Sequence, residues 1–283
     1  MSEFESHDDW YNFSSYLINE NRFVLNSRWQ KFINALLISA KKRETVLKLN
    51  TKLYRARIGA NEYDQKNEQG GICYVKEPYQ DFYAPPKDKT LGGRLNPRGI
   101  PYLYLASDIE TAIAEVRPWK GAEVSLGHFH VWEERKLIDI TDKIDMFQIA
   151  IALASAQSFP EEKIEEYVWS AINLSFAKPV SPFDNEFEYI PTQYLAQLFH
   201  AHGFDGIKYN SAMHEGGYNI CLFVPTNLKL YGTEIYFIRS IKYDAKVTTD
   251  LIRVNENRRK FSEQRISLVK KPQSSGNTHR DPD

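Results

Sequence analysis

The spacing of apolar residues changes period along the chain. Between residues 8 and 48, Trp10, Phe13 and Leu17 recur at three- and four-residue intervals, and Trp29, Phe32, Ile33, Leu36, Leu37 and Ala40 do the same. Each set predicts one helix with an apolar stripe facing a core. Asp8 or Asp9 stands where the first helix needs a cap, and Asn26 or Ser27 serves the second. From about Lys52 the period drops to two. Leu53, Arg55 and Arg57 would share one face of a strand, with Tyr54, Ala56 and Ile58 on the other. Residues 59–90 are polar and broken by Gly and Pro, which predicts a long excursion with a short strand near 72–75.

A strand follows at 102–106, then a helix over 108–116. Ser107 and Glu110 have the spacing of a capping box, and Pro118 stops the helix. Residues 128–140 predict more strand, with Phe129 and Val131 alternating against His128 and His130. Residues 143–177 predict helix in two pieces divided at Pro160, and 192–202 a further helix closed by Gly203. Strands are expected at 205–209 and 218–224, joined by the loop 210–217. Residues 226–254 predict short strands and turns, 255–271 a charged helical or frayed segment, and the chain from Pro272 disorder. This mixed order argues for an α+β fold over a doubly wound sheet.

Composition narrows the function classes. With 36 Lys+Arg against 37 Asp+Glu, the chain lacks the excess charge of a general nucleic-acid coat or an anionic-membrane binder. Cys73 and Cys221 are far apart and form no CxxC, so a thiolate zinc site is not expected; the two read as reduced thiols of a cytosolic protein, with a single disulfide as the alternative. The N-terminal residues are acidic with no apolar h-region. The most apolar stretch, 146–156, is too short to cross a bilayer. A cytoplasmic protein is the expectation.

The chemistry concentrates in Leu91-Gly92-Gly93-Arg94-Leu95-Asn96-Pro97-Arg98-Gly99. No Gly-Lys-Ser/Thr follows and a strand comes next, so this is no P-loop. Gly-Gly and Asn-Pro mark a turn, while Arg94 offers a rigid donor fork for a phosphate or carboxylate. Tyr104 reads as a core residue or as a platform for a flat ring. Glu115 borders the stripe Ile109, Ala112, Ile113 and Val116. It reads either as a boundary residue paired with Arg117 or Lys120, or as a carboxylate facing a developing cation. Ser211 has no Gly-x-Ser-x-Gly elbow around it. It reads as a loop serine or as a hydrogen-bond donor to a ligand hydroxyl. His128 and His130 form an HxH pair without a recognisable third ligand, so no metal site is expected.

Taken together, Leu53-Tyr54-Arg55, the Gly92–Gly99 loop, Leu103-Tyr104-Leu105-Ala106, Thr111-Ala112-Ile113-Ala114-Glu115-Val116 and Gly203-Phe204-Asp205-Gly206-Ile207-Lys208-Tyr209-Asn210-Ser211 resemble the RES domain, named for its Arg, Glu and Ser. The resemblance implies an ADP-ribosyltransferase-like α+β fold with a split, twisted β-core around an NAD cleft. It further implies an NAD-consuming enzyme working by hydrolysis, phosphorolysis or ADP-ribosyl transfer. Many members are toxins of toxin–antitoxin pairs, held inactive by an Xre-type helix-turn-helix antitoxin. On this resemblance Glu115, Arg55 and Ser211 are the catalytic candidates. Arg94, Tyr104, Arg57, Gly93 and Asn96 are the NAD-binding ones, and Arg57 can replace Arg55 because both would face one side of the strand. The expected organisation is a helical N-terminal extension (1–50), the RES domain (51–225), a C-terminal extension (226–271) and a disordered tail (272–283). The rival reading is a non-catalytic NAD- or ADP-ribose-binding or adaptor module.

Overall fold

The two N-terminal apolar stripes become α1 (Asp9–Asn19) and α2 (Ser27–Ala40) in the computed structural model. The structure describes residues 4–66, 70–141, 160–178, 186–224, 228–243 and 245. Asn26 caps α2, its side chain accepting from the Trp29 N–H at 3.1 Å, which satisfies one of the donors a helix start leaves open. Asp8 holds the equivalent position before α1 but makes no side-chain cap bond. Asp9 instead accepts from the backbone N–H groups of Glu5 and Ser6.

Among the described residues, the further α-helices are α3 (Ile109–Glu115), α4 (Ile164–Ala177) and α5 (Ile190–Ala201). The strands are β1 (Glu44–Leu47), β2 (Lys52–Ile58), β3 (Asn61–Lys66), β4 (Ile72–Glu77), β5 (Leu103–Ala106), β6 (Glu123–Val131), β7 (Arg135–Asp139), β8 (Gly206–Asn210), β9 (Tyr218–Leu222) and β10 (Leu228–Phe237). Eight of them form one mixed sheet in the order β1-β7-β8-β9-β5-β2-β6-β10, and β3 and β4 make a separate hairpin. Among the described strands of this sheet, β7 and β8 pair in parallel and the other ladders are antiparallel. The fold is α+β, as expected.

The ladder between β5 and β2 consists of a single registered pair, Tyr54↔Ala106. By contrast β2 runs beside β6 for its full length, Lys52↔His130 to Ile58↔Val124. The sheet is therefore split between these two strands, whose one registered pair lies where β5 ends. On one face of the split, α3 seals Ala56, Ala106, Val124 and Leu126 with Ala112. A second cluster joins Leu53, Leu103, Leu105 and Phe129 to Phe82 of the preceding loop. The largest cluster packs Trp10, Phe13, Trp29 and Phe32 against Trp169, Phe176 and Phe199, and reaches the sheet at Ile138, Ile207 and Cys221. Each fully buried side chain of this size contributes about 1.5–3 kcal/mol, so the N-terminal helices are integral to the core.

Several expectations need correction. The excursion holds two strands rather than one. β3 is polar and exposed along its length, so it offers no alternation to read, and it is held by pairing with β4 from Asn61↔Glu77 to Lys66↔Ile72. The stretch 128–140 is two strands, β6 starting earlier at Glu123 and β7 following a turn at 132–134. The segment expected to form short strands and turns contains the ten-residue β10, whose alternation is interrupted by a register shift between Leu230 and Gly232. The cap of α3 is Asp108, which accepts from the Thr111 N–H at 2.7 Å, while Ser107 donates to Asp108. The expected helix over 143–159, the charged segment 255–271 and the tail lie outside the described residues. Both cysteines are free thiols, Cys73 exposed and Cys221 buried. Among the described residues, no helix is long and apolar enough to cross a membrane.

Candidate active site at the split of the sheet

Where β2 and β5 part, a cavity of about 300 Å³ opens, at the lower end of the range for small-molecule sites. β2 supplies Tyr54 and Arg55, β5 supplies Tyr104, α3 supplies Glu115, β8 and β9 supply Tyr209 and Asn219, and the Gly-Gly-Arg loop supplies Arg94. Residues separated by more than 150 positions thus meet because the strands that carry them are neighbours in the sheet. Among the described residues, the charged side chains lining the cavity are two guanidiniums and one carboxylate.

Glu115 closes α3 and is held by protein donors. Its Oε1 accepts from Ser211 Oγ at 2.8 Å and from Asn219 Nδ2 at 2.6 Å. Two short bonds onto one oxygen fix the carboxylate plane and rotamer. Ser211 owes its place to the tight connection between β8 and β9. Its N–H bonds the Gly217 carbonyl, and its Oγ accepts from the N–H groups of Met213 and His214 at 3.1 and 3.2 Å. A hydroxyl has one proton and two lone pairs. All three positions of Ser211 are filled by the protein, so this hydroxyl orients Glu115 and has no site left for a ligand hydroxyl.

The two cavity arginines are anchored by backbone carbonyls. Arg94 Nη1 donates to the Phe176 carbonyl at 2.7 Å, and its buried Nε has no hydrogen-bond partner. Arg55 Nη1 donates to the Phe82 and Tyr83 carbonyls at 2.8 and 3.0 Å. Burial, reinforced by the adjacent Arg57, pulls the Arg55 guanidinium down to a pKa of about 10. It stays cationic at neutral pH, but in a poorly solvated place where an anion is attracted strongly. Arg57 also reaches the Tyr83 carbonyl, at 3.3 Å, and lies over the Phe82 ring. The two arginines do share one side of β2, but only Arg55 lines the cavity.

Tyr104 puts its ring on the cavity wall and its hydroxyl into the loop. The hydroxyl donates to Asn96 Oδ1 at 2.8 Å and accepts from the Leu95 N–H at 3.1 Å. Burial pushes its pKa well up, so it remains a neutral phenol. Asn96 spends its amide on the Leu91 and Pro97 carbonyls. A Cβ on Gly93 would stand 2.5 Å from Asn96 Oδ1 and 3.2 Å from the Tyr104 hydroxyl oxygen, so only glycine allows that approach. Gln193 ties the loop from outside by donating to the Gly93 and Asn96 carbonyls, and Thr192 donates to the Arg94 carbonyl. Gly93 and Asn96 shape the loop that presents Arg94.

The sequence alone did not single out Asn219, Tyr209 or Gln193. Asn219 had a signal: it is the one amide in an otherwise apolar strand, and a buried amide needs partners. The HxH pair lies elsewhere. His128 bonds Glu234 at 2.7 Å and His130 stacks on Tyr231. Among the described residues, no group of three or more His, Cys, Asp or Glu gathers as metal ligands.

The family model of the RES domain matches residues 72–234, more than half of the chain. The protein belongs to the RES domain family. Arg94, Tyr104, Glu115 and Ser211 fall within the match, while Arg55 and Arg57 precede it. Among solved structures, the crystal structure of the M. tuberculosis MbcT–MbcA toxin–antitoxin complex is similar at 15% identity and a TM-score of 0.43, over 72% of this chain and 96% of that chain. No curated protein matches the chain.

Proposed function

We propose that the protein is an NAD-consuming enzyme that breaks the nicotinamide–ribose bond. The observation that carries this reading is Glu115: a carboxylate fixed by Ser211 and Asn219 in a cavity whose other charged side chains are Arg55 and Arg94. Cleavage of the bond sends its electron pair to the nicotinamide nitrogen and leaves an oxocarbenium-like ribosyl cation, as glycoside cleavage does. A preorganised carboxylate stabilises that cation as it forms. The guanidiniums neutralise the pyrophosphate. An acceptor oxygen, from water, phosphate or a protein group, then bonds the ribosyl carbon and loses its proton. The cavity's size suits the nicotinamide ring and its ribose, with the Tyr104 ring as one wall. Membership of the RES family supports the companion reading of a toxin restrained by an Xre-type helix-turn-helix antitoxin, acting in the cytoplasm without a metal.

Incubating purified full-length protein with NAD and measuring free nicotinamide tests this. The wild type releases nicotinamide, Glu115→Gln loses about 10²–10³-fold in kcat, and Ser211→Ala loses less because Asn219 still holds the carboxylate. Measurable NAD affinity with no turnover would instead favour the binding-module reading.

A further inference from the structure

The loop that places Ser211 is itself fastened to the other end of the catalytic helix. His214 Nδ1 lies 2.9 Å from Thr111 Oγ1 and 3.7 Å from Asp108 Oδ1. Thr111 is in the first turn of α3 and also donates to Asp108 Oδ2 at 2.8 Å, while Asp108 caps the helix. Hydrogen accounting fixes the direction of this chain. The Asp108 carboxylate only accepts, so the single Thr111 hydroxyl proton goes to it. The Thr111 oxygen can then only accept from His214, and His214 must carry its proton on Nδ1. Hydrogen bonds from Ser107 and Thr111 outweigh the effect of burial on Asp108 and hold its pKa below the ordinary carboxylate value, in keeping with an acceptor-only role.

Gly217 provides an independent geometric sign that this contact is built in. A Cβ there would overlap Thr111 Oγ1 and come within 3.1 Å of His214 Nδ1. The backbone of the loop is thus pressed directly onto the Thr111–His214 bond. Gly217 also accepts from the Ser211 N–H and donates to the His214 carbonyl. The groups facing His214 from α3 and its cap are Thr111 and Asp108, and Glu215 is its charged neighbour in the chain.

We propose that His214 is a positioning residue of the active site: with Thr111 and Asp108 it clasps the 211–217 loop to the start of α3, so that Ser211 meets Glu115 at the end of the same helix. The consequence rests on the NAD-cleaving reading, but the clasp can be tested apart from it. The clasp requires one N–H donor aimed at Thr111 Oγ1 from the Nδ1 position. A neutral amide placed at the Nδ1 position serves equally well.

The experiment compares His214→Ala with His214→Asn in the full-length protein. In steady-state kinetics with NAD, His214→Ala is expected to lower kcat about 10- to 100-fold with KM within about twofold, and His214→Asn to restore most of it. Amide hydrogen exchange is the second readout. Protection at Ser211 and Gly217 falls in the alanine variant, returns in the asparagine variant, and is unchanged in β6 of both. Wild-type kcat in His214→Ala, with Glu115→Gln inactive, would overturn the clasp and leave the NAD reading standing. Loss of loop protection restored by asparagine, with no turnover even in the wild type, would keep the clasp and sink the NAD reading. Equal loss in the alanine and asparagine variants would also overturn the proposal, since it assigns the effect to one donated hydrogen bond.

Discussion

At the scale of single residues, the site is a set of charges held in place by hydrogen bonds to the surrounding protein. Arg55 gives the pH dependence. Its guanidinium has a pKa of about 10, lowered by burial and by Arg57 from the ordinary 12.5. As pH rises through about 10 the folded protein gives up this proton before the unfolded chain does. The contribution of Arg55 to stability therefore increases in that window, while its positive charge disappears. KM for NAD is expected to rise above about pH 10, and Arg55→Lys to move that rise to lower pH, because an ammonium starts from about 10.4 and the same burial lowers it, read from initial rates across pH 7–11. Flat KM through pH 11 in the wild type would show that Arg55 does not bind the dinucleotide. Glu115 and Arg94 were readable in the sequence because each sits against the local pattern: a carboxylate beside an apolar stripe, and an arginine in a glycine turn. The saturation of Ser211 was not readable. It depends on two backbone N–H groups that a tight connection turns inward.

Elements carry these residues with differing clarity. β5 and α3 were legible because a short apolar strand is followed by a capped apolar stripe, although the cap is Asp108 and not Ser107. β3 and β10 were not legible, one because both its faces are exposed and the other because a bulge breaks its period. The split between β2 and β5 is a property of pairing, and no residue pattern along either strand encodes it. The Gly-Gly-Arg loop gives the test at this scale. Tyr104→Phe removes the bonds to Asn96 and Leu95 while keeping the ring. It should cost about 1–2 kcal/mol of stability, read by urea unfolding, and should raise KM for NAD as Arg94 loses its fixed mount. An unchanged denaturation midpoint and KM would show that the loop is held by Gln193 and Thr192 alone.

For the whole molecule, the N-terminal helices precede the region matched by the family model, yet they belong to the main core. Phe13 is fully buried, with Trp29, Phe32 and Tyr194 ringed around it at centroid distances of 5.4, 5.1 and 5.5 Å. Phe13→Ala should destabilise the protein by about 3–5 kcal/mol in a single unfolding transition. A separate early transition would mean that these helices fold apart from the sheet. Through α4 and α5 this core also bears on the site, because α4 offers the carbonyl that anchors Arg94 and α5 offers Gln193 and Thr192. The central proposal is that the held carboxylate of Glu115 assists cleavage of the nicotinamide–ribose bond. The most direct measurement is a proton NMR time course of NAD with the purified full-length protein, in water and with added phosphate, for wild type and Glu115→Gln. The account predicts that free nicotinamide grows as NAD disappears with the wild type, and that NAD persists with Glu115→Gln. An unchanged NAD spectrum with both proteins in both conditions, or equal cleavage by both, would contradict it.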